Sequence, residues 1–205
     1  MSLEAALEKK LEGCEVLVLP GWKNSGPAHW QTLWEDRFPA WQRVQQANWL
    51  QPRRSAWVQA LEDAVAACTR PAVLVTHSLG CVTVAHWAAR HDAGRIAGAL
   101  LVAPADVERS TVAASLKDFA PLPRAALPFP ALLVGSDNDP ACAAWRAAGL
   151  ADSWGAEFRL LHGVGHINAD SGLGAWDAGL ALLDAWLGRH LAPPAHMPVP
   201  FRWVA

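Results

Sequence analysis

The chain has 205 residues, of which 52% are hydrophobic and 18% are charged, a composition typical of one globular domain and not of a disordered segment. Its formal net charge of −2 offers no surplus of cationic side chains for nucleic acid or an anionic membrane surface. Neither kind of partner is therefore expected.

The first 13 residues form a charged segment ahead of the first strand candidate. The sequence MSLEAALEKKLEG carries Glu and Lys through every turn, which predicts a helical extension and lacks the apolar centre of a signal peptide. No apolar run approaches the roughly 20 residues that span a bilayer. The four cysteines include no C-x-x-C pair, so neither zinc nor disulfide chemistry is indicated. These features favour a soluble cytoplasmic protein.

Strand and helix candidates alternate along residues 14–191. The strand candidates are short, mostly apolar runs, typical of strands covered on both faces: Glu15–Leu19, Arg43–Ala47, Ala72–Thr76, Ile96–Val102, Ala131–Gly135 and Glu157–Leu161. The helix candidates between them are Pro27–Arg37, Ser55–Cys68, Ser78–His91, Pro140–Leu150 and Leu173–His190. The alternation predicts one α/β domain with about six mostly parallel strands, helices on both faces and a site outside the carboxyl ends of the strands.

Two segments interrupt this alternation. Residues Pro104–Pro130 form a long, proline-containing connection that could cover part of a site, which predicts a small lid at most. Residues 192–205 are rich in proline and have no helical or strand periodicity. They are assigned to a C-terminal tail outside the domain.

Ser78 stands where the third strand candidate passes into a helix. The stretch THSLG at 76–80 departs from the hydrolase pattern Gly-x-Ser-x-Gly because Thr76 occupies the first glycine position. A second relaxed match, ADSWG at 151–155, follows a helix and precedes a strand, so Ser153 has the wrong context. Small residues are needed two positions either side of a serine on such a turn, and Gly80 meets that need. Ser78 is therefore the candidate nucleophile, with a plain helix-capping serine as the alternative.

A serine nucleophile needs a histidine base and usually an acid to orient it, in the chain order Ser, Asp, His for this type of sheet. The loop after the fifth strand offers Asp137 and Asp139, and the loop after the sixth offers His162 and His166. We favour His166, which lies past two glycines, and Asp139, which precedes a proline. Asp106, after the fourth strand, is a third candidate for the acid.

The glycine-rich loop after the first strand can approach a ligand closely through its backbone. An oxyanion hole is expected from the N–H groups of Leu79 and Trp22. Within the same loop and the start of the next helix, Gly21, Ser25 and His29 are assigned to substrate binding.

Other residues near these positions are assigned to structure. His77 adjoins Ser78 but leaves a tight turn in a different direction. Most of the twelve tryptophans, including Trp30, are assigned to packing.

Four segments in this order resemble a known family: PGWKNSGPAHWQTLWE (20–35), VTHSLGCVTVAHWA (75–88), GSDNDP (135–140) and GVGHIN (163–168). They are similar to the small α/β serine hydrolases of the YdeN and retinoblastoma-binding-protein-9 type. The resemblance covers about residues 14–190 and implies a compact α/β-hydrolase fold with the triad Ser78, Asp139 and His166. The family commonly has Gly or Ala where Thr76 stands.

These observations predict a serine hydrolase that cleaves small esters or amides through an acyl-enzyme intermediate, with no metal or organic cofactor. A catalytically silent binding protein on the same scaffold is the alternative. A thiol enzyme using Cys81 is disfavoured, because that residue lies one turn into the helix.

Overall fold

A computed structural model describes residues 1–191; the Pro-rich tail, 192–205, lies outside the described residues. Within them, six strands form one sheet in the order β2-β1-β3-β4-β5-β6, and every pairing is parallel. The strands are β1 (Glu15–Leu19), β2 (Gln42–Arg43), β3 (Ala72–His77), β4 (Ile96–Val102), β5 (Ala131–Ser136) and β6 (Glu157–Leu161). The predicted parallel sheet is confirmed.

In the described part of the chain, six α-helices cover both faces of the sheet, as predicted. They are α1 (Leu3–Lys10), α2 (Trp30–Arg37), α3 (Arg54–Ala67), α4 (Leu79–Ala88), α5 (Ala144–Trp154) and α6 (Asp177–His190). One apolar core lies between the sheet and α3, α4 and α5, and a second lies between the sheet and α1, α2 and α6. None of the helices within residues 1–191 has the length and apolar character needed to cross a bilayer.

The charged N-terminal segment forms α1 and packs on α6. Leu7 is fully buried in the same core as Leu183 and Leu187, and Lys10 Nζ lies 2.6 Å from Asp184 Oδ1. Burial of one apolar face accounts for a helix in a segment this rich in charge. The division of the chain at residue 14 stays a prediction.

The second strand candidate, Arg43–Ala47, is wrong in extent. Pairing with β1 covers only Gln42 and Arg43, and the Val44 N–H donates to the Val18 carbonyl at 2.9 Å before the chain leaves the edge. An edge strand pairs on one side only, so its apolar pattern says little about where pairing stops.

Three helices begin three or more residues later than the sequence predicts. α2 begins at Trp30 and not at Pro27, because His29 has an extended backbone and caps the helix with its side chain. The Asp139 carboxylate accepts the Ala141 N–H at 2.7 Å, and this turn delays α5 from Pro140 to Ala144. Trp176 has a φ of 44°, which cannot belong to a right-handed helix, so α6 begins at Asp177.

Candidate active site

Ser78 lies on a strained turn between β3 and α4. Its φ of 54° and ψ of −114° lie outside the regions that L-residues normally occupy. The turn is held by the Ser78 N–H, which donates to the Val102 carbonyl at 2.9 Å, and by the Cys81 N–H, which donates to the Ser78 carbonyl at 3.1 Å. Ser78 is only 9% exposed, yet with His166 it lines a cavity of about 240 Å³. The geometry is that of a nucleophile elbow.

Two glycines make room for this turn. A Cβ at Gly80 would lie 2.4 Å from the Leu19 carbonyl oxygen, at the end of the neighbouring strand. A Cβ at Gly21 would lie 2.7 Å from the Ser78 Cβ. The structure therefore places Gly21, which was assigned to substrate binding, directly against the serine.

Replacing Gly80 by alanine is expected to destabilise the fold by about 1–3 kcal/mol, because a backbone carbonyl cannot move aside for the added methyl group. Gly149→Ala is the matched control, since Gly149 lies inside α5. Apart from its chain neighbours and the helix's own backbone, no atom of residues 1–191 comes within 4 Å of where the added methyl group would lie. That variant should be neutral or slightly stabilised. Urea unfolding measures both, and equal stabilities would contradict the steric argument.

Thr76 is accommodated where the hydrolase pattern has a glycine. It is fully buried, and its Oγ1 donates to the Leu100 carbonyl at 3.1 Å. The same oxygen lies 3.0 Å from Cys81 Sγ. The additional hydroxyl thus has partners inside the core, and the elbow at Ser78 forms in its presence.

His166 connects Ser78 to Asp139. Its Nε2 lies 2.9 Å from Ser78 Oγ, and its Nδ1 lies 2.9 Å from each carboxylate oxygen of Asp139. The Asp139 side chain is 1% exposed. Because an ionised carboxylate only accepts hydrogen bonds, Nδ1 carries the proton and Nε2 is free to accept the serine proton.

The competing histidine and aspartate form a separate pair. His162 Nδ1 lies 2.7 Å from Asp137 Oδ2, and the His162 side chain is 79% exposed. The Gly163 N–H donates to Asp137 at 2.8 Å, and this bond is the main reason that the pKa of this carboxyl is lowered. Across residues 1–191, no hydrogen bond or ion pair connects this pair to Ser78.

The cavity beside Ser78 has mostly apolar walls. Asp106 and Arg109 also line it, and its apolar lining consists of Trp22, Ala105, Val112, Ala113, Leu116 and Ala141. Asp106 Oδ1 lies 3.4 Å from Arg146 Nε, so this third acid candidate is engaged elsewhere. These residues belong to the Pro104–Pro130 connection, which was expected to cover part of a site, although no motif or periodicity indicated that residues 105–116 would form the wall.

The two backbone N–H groups expected to form the oxyanion hole are those of Trp22 and Leu79. Among residues 1–191, neither the Trp22 N–H nor the Leu79 N–H has a hydrogen-bond acceptor. Trp22 lines the cavity, and Leu79 is the first residue of α4. Within the same residues, no group of three His, Cys, Asp or Glu side chains is arranged to hold a metal ion.

Ser25 and His29 do not line the Ser78 cavity. The Ser25 hydroxyl lies 2.7 Å from Gln31 Oε1 inside the protein. His29 caps α2, its Nδ1 accepting the Gln31 N–H at 3.1 Å. Burial, followed by the charge of Arg43, lowers the pKa of His29 to about 4.

This lowered pKa predicts that the free energy of unfolding falls as the pH drops from 6.5 to 4. The reason is that His29 takes up a proton near pH 6.5 in the unfolded chain but only near pH 4 in the folded chain. His29→Asn keeps an oxygen that can cap α2 and removes the titration. The variant should lose about 3 kcal/mol less stability than the wild type over this range. Urea unfolding at pH 7 and pH 4 tests this, and parallel pH dependences would contradict it.

Comparison with known proteins identifies the family of the chain and its α/β-hydrolase fold. The sequence profile of the family described as serine hydrolase matches residues 16–185. A YdeN-like hydrolase from Pectobacterium atrosepticum is 32% identical, with a TM-score of 0.83 over 94% of this chain and 100% of that one. The ydeN gene product of B. subtilis is 19% identical (TM-score 0.70, covering 85% and 98%), and a Rhodococcus esterase is 13% identical (TM-score 0.64, covering 87% and 92%). The last two show the fold alone, and no curated protein sequence matches the chain.

Proposed function

The chain belongs to the serine hydrolase family as a YdeN-type member, and we propose from this premise that it hydrolyses small esters or amides through Ser78, His166 and Asp139. The observation that carries the proposal is the unbroken series of 2.9 Å contacts from the serine hydroxyl through the imidazole to the carboxylate. This is the arrangement that a serine needs to become a nucleophile.

In the proposed acylation step, Ser78 Oγ attacks the carbonyl carbon while His166 Nε2 takes the hydroxyl proton. Asp139 stabilises the imidazolium and keeps its Nδ1 proton in place. The free N–H groups of Leu79 and Trp22 would stabilise the oxyanion. His166 then returns the proton to the leaving group, and an ester or amide bond is exchanged for the Ser78 acyl bond.

In the deacylation step, a water molecule replaces the leaving group. His166 takes a proton from the water as it attacks the acyl carbonyl, and the acid is released as the proton returns to Ser78 Oγ. A cavity of about 240 Å³ with mainly apolar walls favours short acyl groups.

Two rival functions are weaker on physical grounds. Burial raises the pKa of the Cys81 thiol to about 12, so almost no thiolate exists at neutral pH. A catalytically silent scaffold does not require the strained turn at Ser78 or a base and an acid aligned with it, so these features favour the enzyme.

The proposal is tested with a fluorophosphonate probe and a panel of acetyl, butyryl and octanoyl esters. We expect covalent labelling of the native protein, mapped by mass spectrometry to Ser78, and faster hydrolysis of the short esters. Labelling mapped to Ser153 would place the nucleophile elsewhere and contradict the proposal. A folded protein that neither labels nor hydrolyses any ester would favour the silent scaffold.

A further inference from the structure

The loop that carries His166 contains a strained residue. Ile167 has a φ of 48° and is fully buried. A β-branched residue in this region is a genuine outlier, because its side chain crowds the following carbonyl. Such a conformation persists only where the surroundings fix it.

Two side-chain donors fix this part of the loop. His77 Nε2 lies 2.9 Å from the His166 carbonyl oxygen, and Trp30 Nε1 donates to the Ile167 carbonyl at 2.8 Å. Both donors are buried, with 5% of His77 and 1% of Trp30 exposed. Two consecutive carbonyls of the loop are therefore held from the sheet edge and from α2.

The protonation state of His77 follows from its partner. A carbonyl oxygen only accepts, so His77 Nε2 must carry the proton. Burial holds the pKa of His77 well below its usual value, so the ring stays neutral beside its neighbours. The His77 ring lies between those of His166, at 4.9 Å, and His29, at 4.7 Å.

We infer that His77 and Trp30 are positioning residues that hold His166 within reach of Ser78. His77 immediately precedes Ser78 in the chain, so its bond to the His166 backbone ties the base to the nucleophile through one short segment. The inference rests on the proposed function, in which proton transfer needs His166 Nε2 at the serine hydroxyl. A small displacement of a base lowers the rate steeply.

The test compares donor-deleting and donor-keeping variants by kinetics. His77→Phe keeps an aromatic ring without the donor and should lower kcat about 10²-fold with little change in KM. His77→Gln, whose amide N–H can reach a similar position, should recover kcat to within about fivefold of wild type. Trp30→Phe should lower kcat by about tenfold.

Trp154→Phe is the matched control for Trp30→Phe. Trp154 is also buried, and its Nε1 donates to the Pro123 carbonyl at 2.9 Å, away from the site. This variant loses the same kind of bond and should keep kcat within about twofold of wild type. Equal loss of kcat in both tryptophan variants would overturn the inference.

A spectroscopic measurement decides the inference without activity. The low-field proton resonance of His166 Nδ1–H, bonded to Asp139, should be present in the wild type and in Trp154→Phe, and broadened or lost in Trp30→Phe. An unchanged resonance there, or a His77→Gln protein as slow as His77→Phe, would overturn the inference. If the wild type shows this resonance but hydrolyses no ester, the proposed function is contradicted. The comparison of the resonance between Trp30→Phe and Trp154→Phe then still decides the positioning inference.

Discussion

Replacing Ser78 by alanine is expected to lower kcat for a short ester by about 10⁴-fold or more and to abolish fluorophosphonate labelling. The reason is that the proposed reaction forms a covalent bond to Ser78 Oγ, and no neighbouring group can replace that oxygen. Within residues 1–191, the only thiol that contacts the elbow is that of Cys81, which is buried and has a pKa raised to about 12. Steady-state hydrolysis and probe labelling measure the loss.

The matched control is Ser153→Ala. Ser153 lies in the second relaxed motif, but its hydroxyl is exposed on α5 and donates to the Gly149 carbonyl at 2.8 Å. This variant should keep wild-type activity, because Ser153 lies near the C-terminal end of α5, bonds the helix backbone and does not line the Ser78 cavity. Residual activity of Ser78→Ala close to that of Ser153→Ala would place the nucleophile elsewhere.

The central strands follow directly from the sequence because both of their faces are buried. A strand covered on both sides must be apolar at every position, as β3 and β4 largely are, and such runs have clear ends. The edge strand β2 has no such constraint, and half of its short span is exposed. Its limits therefore depend on tertiary contacts that the local sequence does not express.

The order of the site residues could also be predicted from the sequence, because parallel strands bring their carboxyl ends to one edge of the sheet. Asp139 and His166 follow β5 and β6, and the structure brings both to Ser78. Side-chain direction could be predicted only in part. His77 was assigned to structure because it leaves the turn in a different direction from Ser78, and its ring bonds the His166 backbone. Ser25 was assigned to substrate binding, yet its hydroxyl turns inward to Gln31.

The second large effect is expected for Asp139→Asn, which should lower kcat about 10⁴-fold with the fold intact. Asp139 Oδ1 accepts the Ala141 N–H at 2.7 Å, and the asparagine oxygen can keep that bond. The amide N–H₂ then faces His166 Nδ1, which must become an acceptor. The ring proton moves to Nε2, and this nitrogen can no longer accept the proton of Ser78.

Asp137→Asn is the internal control. Asp137 lies two residues before Asp139 in the same loop and pairs with the exposed His162. The two variants remove one carboxylate charge each and disturb the same segment of chain. If the tautomer argument holds, Asp137→Asn keeps kcat within about twofold of wild type while Asp139→Asn loses it. Equal losses would mean that both act through loop structure, and a larger loss in Asp137→Asn would make His162 the base.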